Sequence, residues 1–383
     1  MDMNLDATLD SELHSLEQAH LRRTLRVLDE GLNFAANDYL GLSRHPALIE
    51  AAQQATAKMG TGAGAARLVT GTSADVLTLE EELAVWKEKE AALVFSSGFA
   101  AALGTIPAIV GKGDTVVLDK LAHASLIDGA RLSGATVRVF PHNQMPQLES
   151  LLQKLSAAPD RGRILVITES IFSMDGDAAL LRELVELKER YGAWLMVDEA
   201  HATGLYGATG AGLLAELGLS SRIEIVMGTL SKALGSVGGY IAGSSPLIQW
   251  LINRARSFIY STALPPGVIA ASRAAVEIAR GPEGTALRAR LRDNITHFHA
   301  GLPAAWKTES LSSSAIQPLI CGEAARALQL GAALREKGFL IPAIRYPTVP
   351  RNASRLRVTL SASHLTKDID ALNEALAIAF PPK

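Results

Sequence analysis

The chain has 383 residues, 48% of them hydrophobic, with 37 basic and 39 acidic side chains and a formal net charge of −2. That length and apolar content support a globular protein with one large core and a second, smaller one. The near-balance of charge argues against a nucleic acid or an anionic membrane held by bulk electrostatics, and the single cysteine, Cys321, excludes an internal disulfide framework and points to a reducing, cytoplasmic setting.

The acidic, polar start, MDMNLDATLDSELHSLEQAH, reads as a helix and not as a secretory or transit signal. With LNFAANDYLGLS (32–43) it makes an expected N-terminal segment, residues 1–45, that could lie against either core. PALIEAAQQATAKM (46–59) reads as helical. AALVFSS then runs into a helix starting near Gly98, TVVLD (115–119) leads to a helix around 124–132, and TVRVF (136–140) follows. RILVITES (163–170) precedes the helical AALLRELVELKERYG (178–192), and AWLMVDEAH (193–201), IEIVMG (223–228) and GGYIAGS (238–244) complete the set. Two uncharged stretches, 91–111 and 233–253, are long enough to span a bilayer. Each is broken by Gly, Ser and a Pro, so each is read as a buried strand–turn–helix unit. Short strands alternating with helices predict an α/β domain over 46–283, a mostly parallel sheet sandwiched by helices. From about 283 the pattern changes. A helix at 284–301, SAIQPLICG, a helix at 323–337, FLIPAIR, RLRVTLSA and a last helix at 366–379 predict a smaller α+β domain over 284–383.

Ligands of open α/β sheets bind beyond the carboxyl ends of the strands. Five strand ends bring polar residues there: Ser96, Ser97 and Gly98; Asp119, with His123 four residues on; Glu169, Ser170 and Ser173; Asp198 and His201; and Thr229, Ser231 and Lys232. Lys232 stands alone, with Glu224 the charge before it and Arg254 the next after it. A charge at the end of a buried strand loses hydration, and a desolvated lysine has a lowered pKa and becomes a usable nucleophile. A lysine that snorkels to water is the alternative from that window alone.

Asp-Glu-Ala-His in VDEAHATGLYG is also a helicase signature, but that reading needs a G-x-x-x-x-G-K-[ST] loop, and the chain has none. GTGAGAARLVTG follows a helix instead of a strand and lacks the G-x-G-x-x-G spacing. His297 and His299, two apart on a helix, diverge; they are expected to be surface residues and no metal is expected. A buried Asp198, a buried Lys232, a stacking His123 and an SSGF helix start make a different set. Pyridoxal phosphate needs a lysine to hold its aldehyde as a Schiff base and a carboxylate to keep the pyridine nitrogen protonated. Its phosphate needs a helix N-terminus, where free N–H groups and the dipole favour an anion. Thr229 and Ser231 add hydroxyl donors beside the lysine.

LNFAANDYLGLS, ARLVTGTS, SSGFAA, DKLAHASLIDGARLSGA, TESIFSMDGDAALL, VDEAHATGLYG, GTLSKALGSVGGY, YSTALPP and IRYPTVPRNASRLRVTLSASH occur in this order. Together they resemble the α-oxoamine synthases, pyridoxal-phosphate-dependent transferases of fold type I (the aspartate-aminotransferase fold), nearly end to end. The resemblance implies pyridoxal 5'-phosphate as cofactor and Lys232, His123, Asp198 and His201 as the catalytic set. By it, Lys232 holds the aldehyde and later removes the Cα proton of the substrate. Asp198 pairs with the pyridine nitrogen, His201 hydrogen-bonds the ring hydroxyl, and His123 stacks on the ring. Gly98 and Phe99 offer N–H groups to the phosphate, and Ser173 and Thr229 add side-chain contacts. Ser261 and Thr262 are implied to reach the phosphate of the partner subunit, in a homodimer with shared active sites. Asn37, Arg345 and Arg357 resemble the substrate-carboxylate set, with Arg355 the fallback for Arg357, because alternation along a strand turns both to one face. Arg22 and Thr348 match positions that contact the acyl substrate.

The arginine of IRYPTVP favours the branch that condenses L-alanine with pimeloyl-CoA or pimeloyl-acyl-carrier protein, with loss of CO2, in biotin biosynthesis. The alternatives are the sister synthases, among them glycine C-acetyltransferase, 5-aminolevulinate synthase and serine palmitoyltransferase. The chain departs from the family at Val76, usually a histidine, and at Ala65-Ala66, usually Gly-Ser. Both departures bear on the substrate more than on the cofactor.

Overall fold

The structure, a computed structural model, describes residues 4–25, 27, 31–307 and 311–379. The outermost residues of the expected N- and C-terminal segments, 1–3 and 380–383, lie outside that set. The chain divides into two compact units: Asn37–Ser173 with Asp177–Leu291, and Met1–Ala36 with Met174–Gly176 and Arg292–Lys383.

The larger unit is built on a seven-stranded sheet. Its order across the sheet is Ala91–Phe95, Gly239–Gly243, Ile225–Thr229, Trp194–Asp198, Ile164–Glu169, Thr115–Asp119 and Thr136–Phe140. Gly239–Gly243 runs antiparallel to both neighbours and the other pairings are parallel. Ile164–Glu169, Ile225–Thr229 and Gly239–Gly243 are buried along their whole length, which is why they read as unbroken apolar runs instead of alternating ones. Leu93, Ile106, Leu118, Leu126, Ile167 and Met196 belong to one core cluster. Each such side chain contributes about 1.5–3 kcal/mol relative to exposure.

Both uncharged stretches fold as strand, turn and helix: Ala91–Phe95 into Gly98–Ile109, and Gly239–Gly243 into Ser245–Arg254. Among the described residues no helix is long and apolar enough to cross a membrane. The sheet approaches the first of these helices through glycine, since a Cβ on Gly239 would lie 2.5 Å from Gly98 Cα. The helix expected at 178–192 begins later, at Leu181. The residues before it return along the strand end: Ile171 bridges Ala178, Phe172 N–H donates to Asp177 O at 2.9 Å, and Ala179 N–H donates to Ser170 O at 3.1 Å. Backbone groups used in that return are not free to start a helix.

The smaller unit has an antiparallel sheet of Ala343–Ile344, Ser354–Thr359 and Ile316–Gly322. Leu32–Asn33 pairs in parallel with Phe339–Leu340, so this part of the N-terminal stretch lies with the smaller unit. FLIPAIR is two short strands with different partners, divided at Ile341-Pro342, where proline has no N–H to continue a ladder. His299, expected at the surface, is half-buried, and its Nε2 lies 2.8 Å from Gln317 Oε1, while His297 pairs with Asp370 at 2.6 Å.

Candidate active site

Asp198 ends a buried strand, and the chain then turns so that Ala200 N–H donates to its Oδ1 at 2.8 Å. Burial pushes the Asp198 carboxyl above the usual range, while the charge of Lys232 opposes that shift. Glu199 takes up the fully buried Lys87 at 3.0 Å. Burial works most strongly against that ammonium, but the charges and hydrogen bonds of Glu199 and Tyr240 together outweigh it and leave Lys87 above its ordinary pKa. The turn carrying Asp198 and His201 is therefore anchored by a buried ion pair.

Lys232 follows Ile225–Thr229, and its Nζ stands 2.8 Å from His201 Nε2. His201 Nδ1 lies 2.5 Å from the Tyr39 hydroxyl, which is also 3.1 Å from Asn37 Oδ1. Lys232 is half-buried, not buried as expected, because it sits on the loop beyond the strand end, where the sheet no longer covers it. The contact with His201 orients its amine nonetheless.

The helix Gly98–Ile109 is capped by Ser97, whose Oγ accepts from Ala100 N–H at 3.0 Å. The first N–H groups of a helix, here including those of Gly98 and Phe99, have no intrahelical acceptor. A Cβ on Gly98 would lie 3.8 Å from Thr229 Oγ1, so that hydroxyl sits against the helix start. Thr229 Oγ1 donates to Gly238 O at 2.8 Å and lies 2.7 Å from Ser231 Oγ. The Phe99 ring is exposed.

His123 closes the loop from Asp119 and caps the helix Ala124–Leu132, its Nδ1 accepting from Ser125 N–H at 3.3 Å. Burial lowers its pKa, which keeps the imidazole neutral. On the same rim, His142 Nδ1 lies 3.0 Å from Asp119 Oδ1 and Nε2 lies 2.7 Å from Asp177 Oδ2. Burial disfavours the charge on His142, yet hydrogen bonds to the two carboxylates push it up to about 10. Ser173 is buried and follows Glu169, which stands beside Asp198 on the neighbouring strand.

Ser261 and Thr262 line a small cavity of this chain with Ser96, Arg67 and Val76. Thr262 bridges Ala66, and Ala263 N–H donates to Ala65 O at 3.0 Å. Both departures from the family pattern, Val76 and Ala65-Ala66, therefore fall beside Ser261-Thr262.

Arg22, Arg345, Thr348 and Arg357 belong to the smaller unit. Arg22 and Arg345 line one cavity of about 650 Å³ together with Arg23 and Arg335. Arg22 also pairs with Glu17 at 2.8 Å, Arg345 donates to His20 O, and Arg23 Nη2 donates to Thr348 Oγ1 at 3.4 Å. Arg357 is 4% exposed, with Nη1 donating to Thr359 Oγ1 at 3.0 Å. Arg355, on the same strand, is ion-paired to Asp175 and donates to Ala353 O at 3.1 Å.

Sequence reasoning assigned no role to Tyr39, Glu169, His142, Arg23 or Arg335. Glu169 was visible as a second acid on the rim. The others carry no signal until the chain is folded.

Residues 29–376 match the family described as aminotransferase class I and II. The chain is 46% identical over 382 residues to 8-amino-7-oxononanoate synthase of Geobacter sulfurreducens, covering 97% of both proteins. Its fold superposes on a serine palmitoyltransferase of Sphingomonas wittichii with a TM-score of 0.91 at 30% identity, covering 99% of this chain and 98% of that one. It matches a structure described as SPT with the PLP internal aldimine at a TM-score of 0.90 and 29% identity, over 98% of each chain. Fold and relatives together define a pyridoxal-phosphate-dependent acyltransferase. The chain belongs to the class I and II aminotransferase family and, within it, to the 8-amino-7-oxononanoate synthases.

The residues present fit pyridoxal 5'-phosphate. A buried carboxyl with an oriented amine nearby suits a pyridinium aldehyde, and an unshielded helix start beside Thr229 and Ser231 suits a phosphate dianion.

Proposed function

We propose that the protein joins L-alanine to a pimeloyl thioester, carried by CoA or acyl-carrier protein, with loss of CO2, giving 8-amino-7-oxononanoate for biotin biosynthesis in the cytoplasm. The observation that carries this reading is the 2.8 Å contact between Lys232 and His201 on the rim that also holds Asp198, in a chain 46% identical to a synthase of that name.

The bound cofactor supplies an electron sink for the carbon that loses a proton and, later, CO2. Lys232 would hold the cofactor by its aldehyde. The Lys232 amine, when free, takes the Cα proton of the amino acid and later returns it. Asp198 would pair with the ring nitrogen, and His201, steadied by Tyr39, would hydrogen-bond the ring hydroxyl. His123 is neutral, so it would lie against the ring without adding a charge. Gly98, Phe99, Ser173, Thr229 and Ser231 hold the phosphate, and Ser261 and Thr262 reach the phosphate of the partner subunit in a homodimer.

Asn37 and Arg357 hold the amino-acid carboxylate. Arg357 is preferred over Arg355 because Arg355 is engaged by Asp175. Arg22, Arg345 and Thr348 receive the anionic parts of the acyl substrate. Residues 46–283 act as the cofactor domain, and 284–383, with the segment 1–45, supply the substrate arginines.

A panel of L-alanine, glycine and L-serine against pimeloyl-, acetyl-, succinyl- and palmitoyl-CoA, read by thiol release, tests this. L-alanine with pimeloyl-CoA is expected to give the highest kcat/KM. Preference for glycine with acetyl- or succinyl-CoA, or for L-serine with palmitoyl-CoA, would overturn it.

A further inference from the structure

Glu169 is a buried acid on the rim that has no part in the chemistry so far. It ends the strand Ile164–Glu169, and its register partner on the adjacent parallel strand is Asp198. Parallel partners leave the sheet on the same face, so the two carboxyls stand side by side. They are 2% and 4% exposed. The backbones of His123 and Ser173 hydrogen-bond Glu169, yet its Oε1 has no hydrogen-bond partner among the described residues.

Two carboxylates in one dry site cannot both be ionised without cost, so one of them keeps a proton. Asp198 is the better anion. Its Oδ1 accepts from Ala200 N–H at 2.8 Å, and the charge of Lys232 favours its ionised form. An ionised Glu169 would leave a bare buried oxygen, whereas an acid O–H can turn toward a neighbour. Burial first, then the charge of Asp198, push Glu169 up to about 8, with Lys232 opposing. The other charged groups around this pair are Glu199, next to Asp198, and Asp128, which acts on His123 from the helix Ala124–Leu132.

We propose that Glu169 is a positioning residue that stays protonated at neutral pH, leaving Asp198 as the single carboxylate charge for the cofactor's ring nitrogen while it pins the loops of His123 and Ser173. The inference rests on the reading that Asp198 meets that nitrogen. When the proton leaves to solvent, a second negative charge appears beside Asp198, and the cofactor's electronic spectrum should respond.

Infrared titration of the holoenzyme from about pH 6 to about pH 10 reads the carboxylic-acid carbonyl band directly. The wild type should show a buried-acid band at neutral pH that disappears with a midpoint near the pKa of about 8. Glu169→Gln should lack the band, and its cofactor absorbance should stay constant across the range where the wild type shifts. Asp198→Asn should keep the band with a lower midpoint, since the neighbouring charge is gone. A wild type without an acid band at neutral pH overturns the proposal. So does a band that survives Glu169→Gln and vanishes in Asp198→Asn, which puts the proton on Asp198. Should Glu169→Gln not fold, the wild type and Asp198→Asn decide between these outcomes. An unaltered cofactor spectrum in Asp198→Asn would instead count against the ring-nitrogen reading, and the substrate panel does not bear on the infrared result.

Discussion

Lys232 Nζ rests 2.8 Å from His201 Nε2, and the far nitrogen of that imidazole rests 2.5 Å from the Tyr39 hydroxyl. The amine is thus oriented through two contacts before any ligand arrives, and the outer one comes from a residue 162 positions away in sequence.

Tyr39→Phe keeps the ring and removes that outer contact. Loss of one buried hydrogen-bond partner costs about 1–3 kcal/mol, and roughly each 1.4 kcal/mol is tenfold in rate. We expect kcat to fall by about 10- to 100-fold while the cofactor stays bound, with a shift in its absorbance. Turnover and spectrum both equal to wild type would mean that the hydroxyl does not orient His201.

Ser261 and Thr262 decide whether the active sites are shared. Within one chain they line a cavity with Ser96, just before the helix start at Gly98. If they act instead on the partner's phosphate, mixing an inactive Lys232→Ala chain with an inactive chain altered at both Ser261 and Thr262 should restore part of the activity. Each mixed dimer would own one intact site. No recovery after demonstrated subunit exchange assigns the pair to its own chain.

The substrate arginines separate by kinetics. Arg357→Lys keeps the charge and loses the planar fork. It should weaken L-alanine binding by about 1.5–3 kcal/mol, the scale of a hydrogen bond to a charged group. Arg345→Ala should act on the acyl substrate and narrow the difference between pimeloyl-CoA and an acyl-CoA of equal length without the terminal carboxylate. If that difference is unchanged, Arg22, Arg23 and Arg335, which line the same cavity, are the next to replace.

His142 ties stability to pH. Its folded-state pKa of about 10 lies above the ordinary 6.5, so between those values the folded protein binds more protons than the unfolded chain. Stability from this group is therefore complete below about pH 6.5 and is lost as pH rises through about 10. Replacing His142 by Gln should lower the urea midpoint at neutral pH and flatten its decline toward alkaline pH. A wild-type midpoint that falls no faster than the variant's over that range would exclude the clamp between Asp119 and Asp177.

Much of the scaffold was legible because it follows from local pattern. The helix 46–59, the strands 115–119 and 136–140 and the helix 366–379 lie where periodicity puts them, since their apolar faces repeat at the period of the element. The helix start at Leu181 was not legible: the apolar Ala178 and Ala179 fit a helix equally well, and only pairing with Ile171 and Ser170 takes their backbones away. Lys232 was correctly seen as isolated in sequence and wrongly expected to be buried, because a strand's burial does not extend to the loop that leaves it.

The sequence by itself determined that a polar rim exists. Apolar runs alternating with amphipathic helices force a parallel sheet, and Asp119, Glu169, Asp198 and Thr229 must then share its carboxyl edge. Tertiary structure alone decided which of those groups touch. Tyr39 against His201, Glu169 beside Asp198, and His142 between Asp119 and Asp177 are contacts among segments far apart in the chain. Arg355 and Arg357 share one strand face by the same period of two, and only the position of Asp175 tells them apart. Protonation and pairing depend on distance and solvent access in three dimensions, and no periodicity along the chain encodes either.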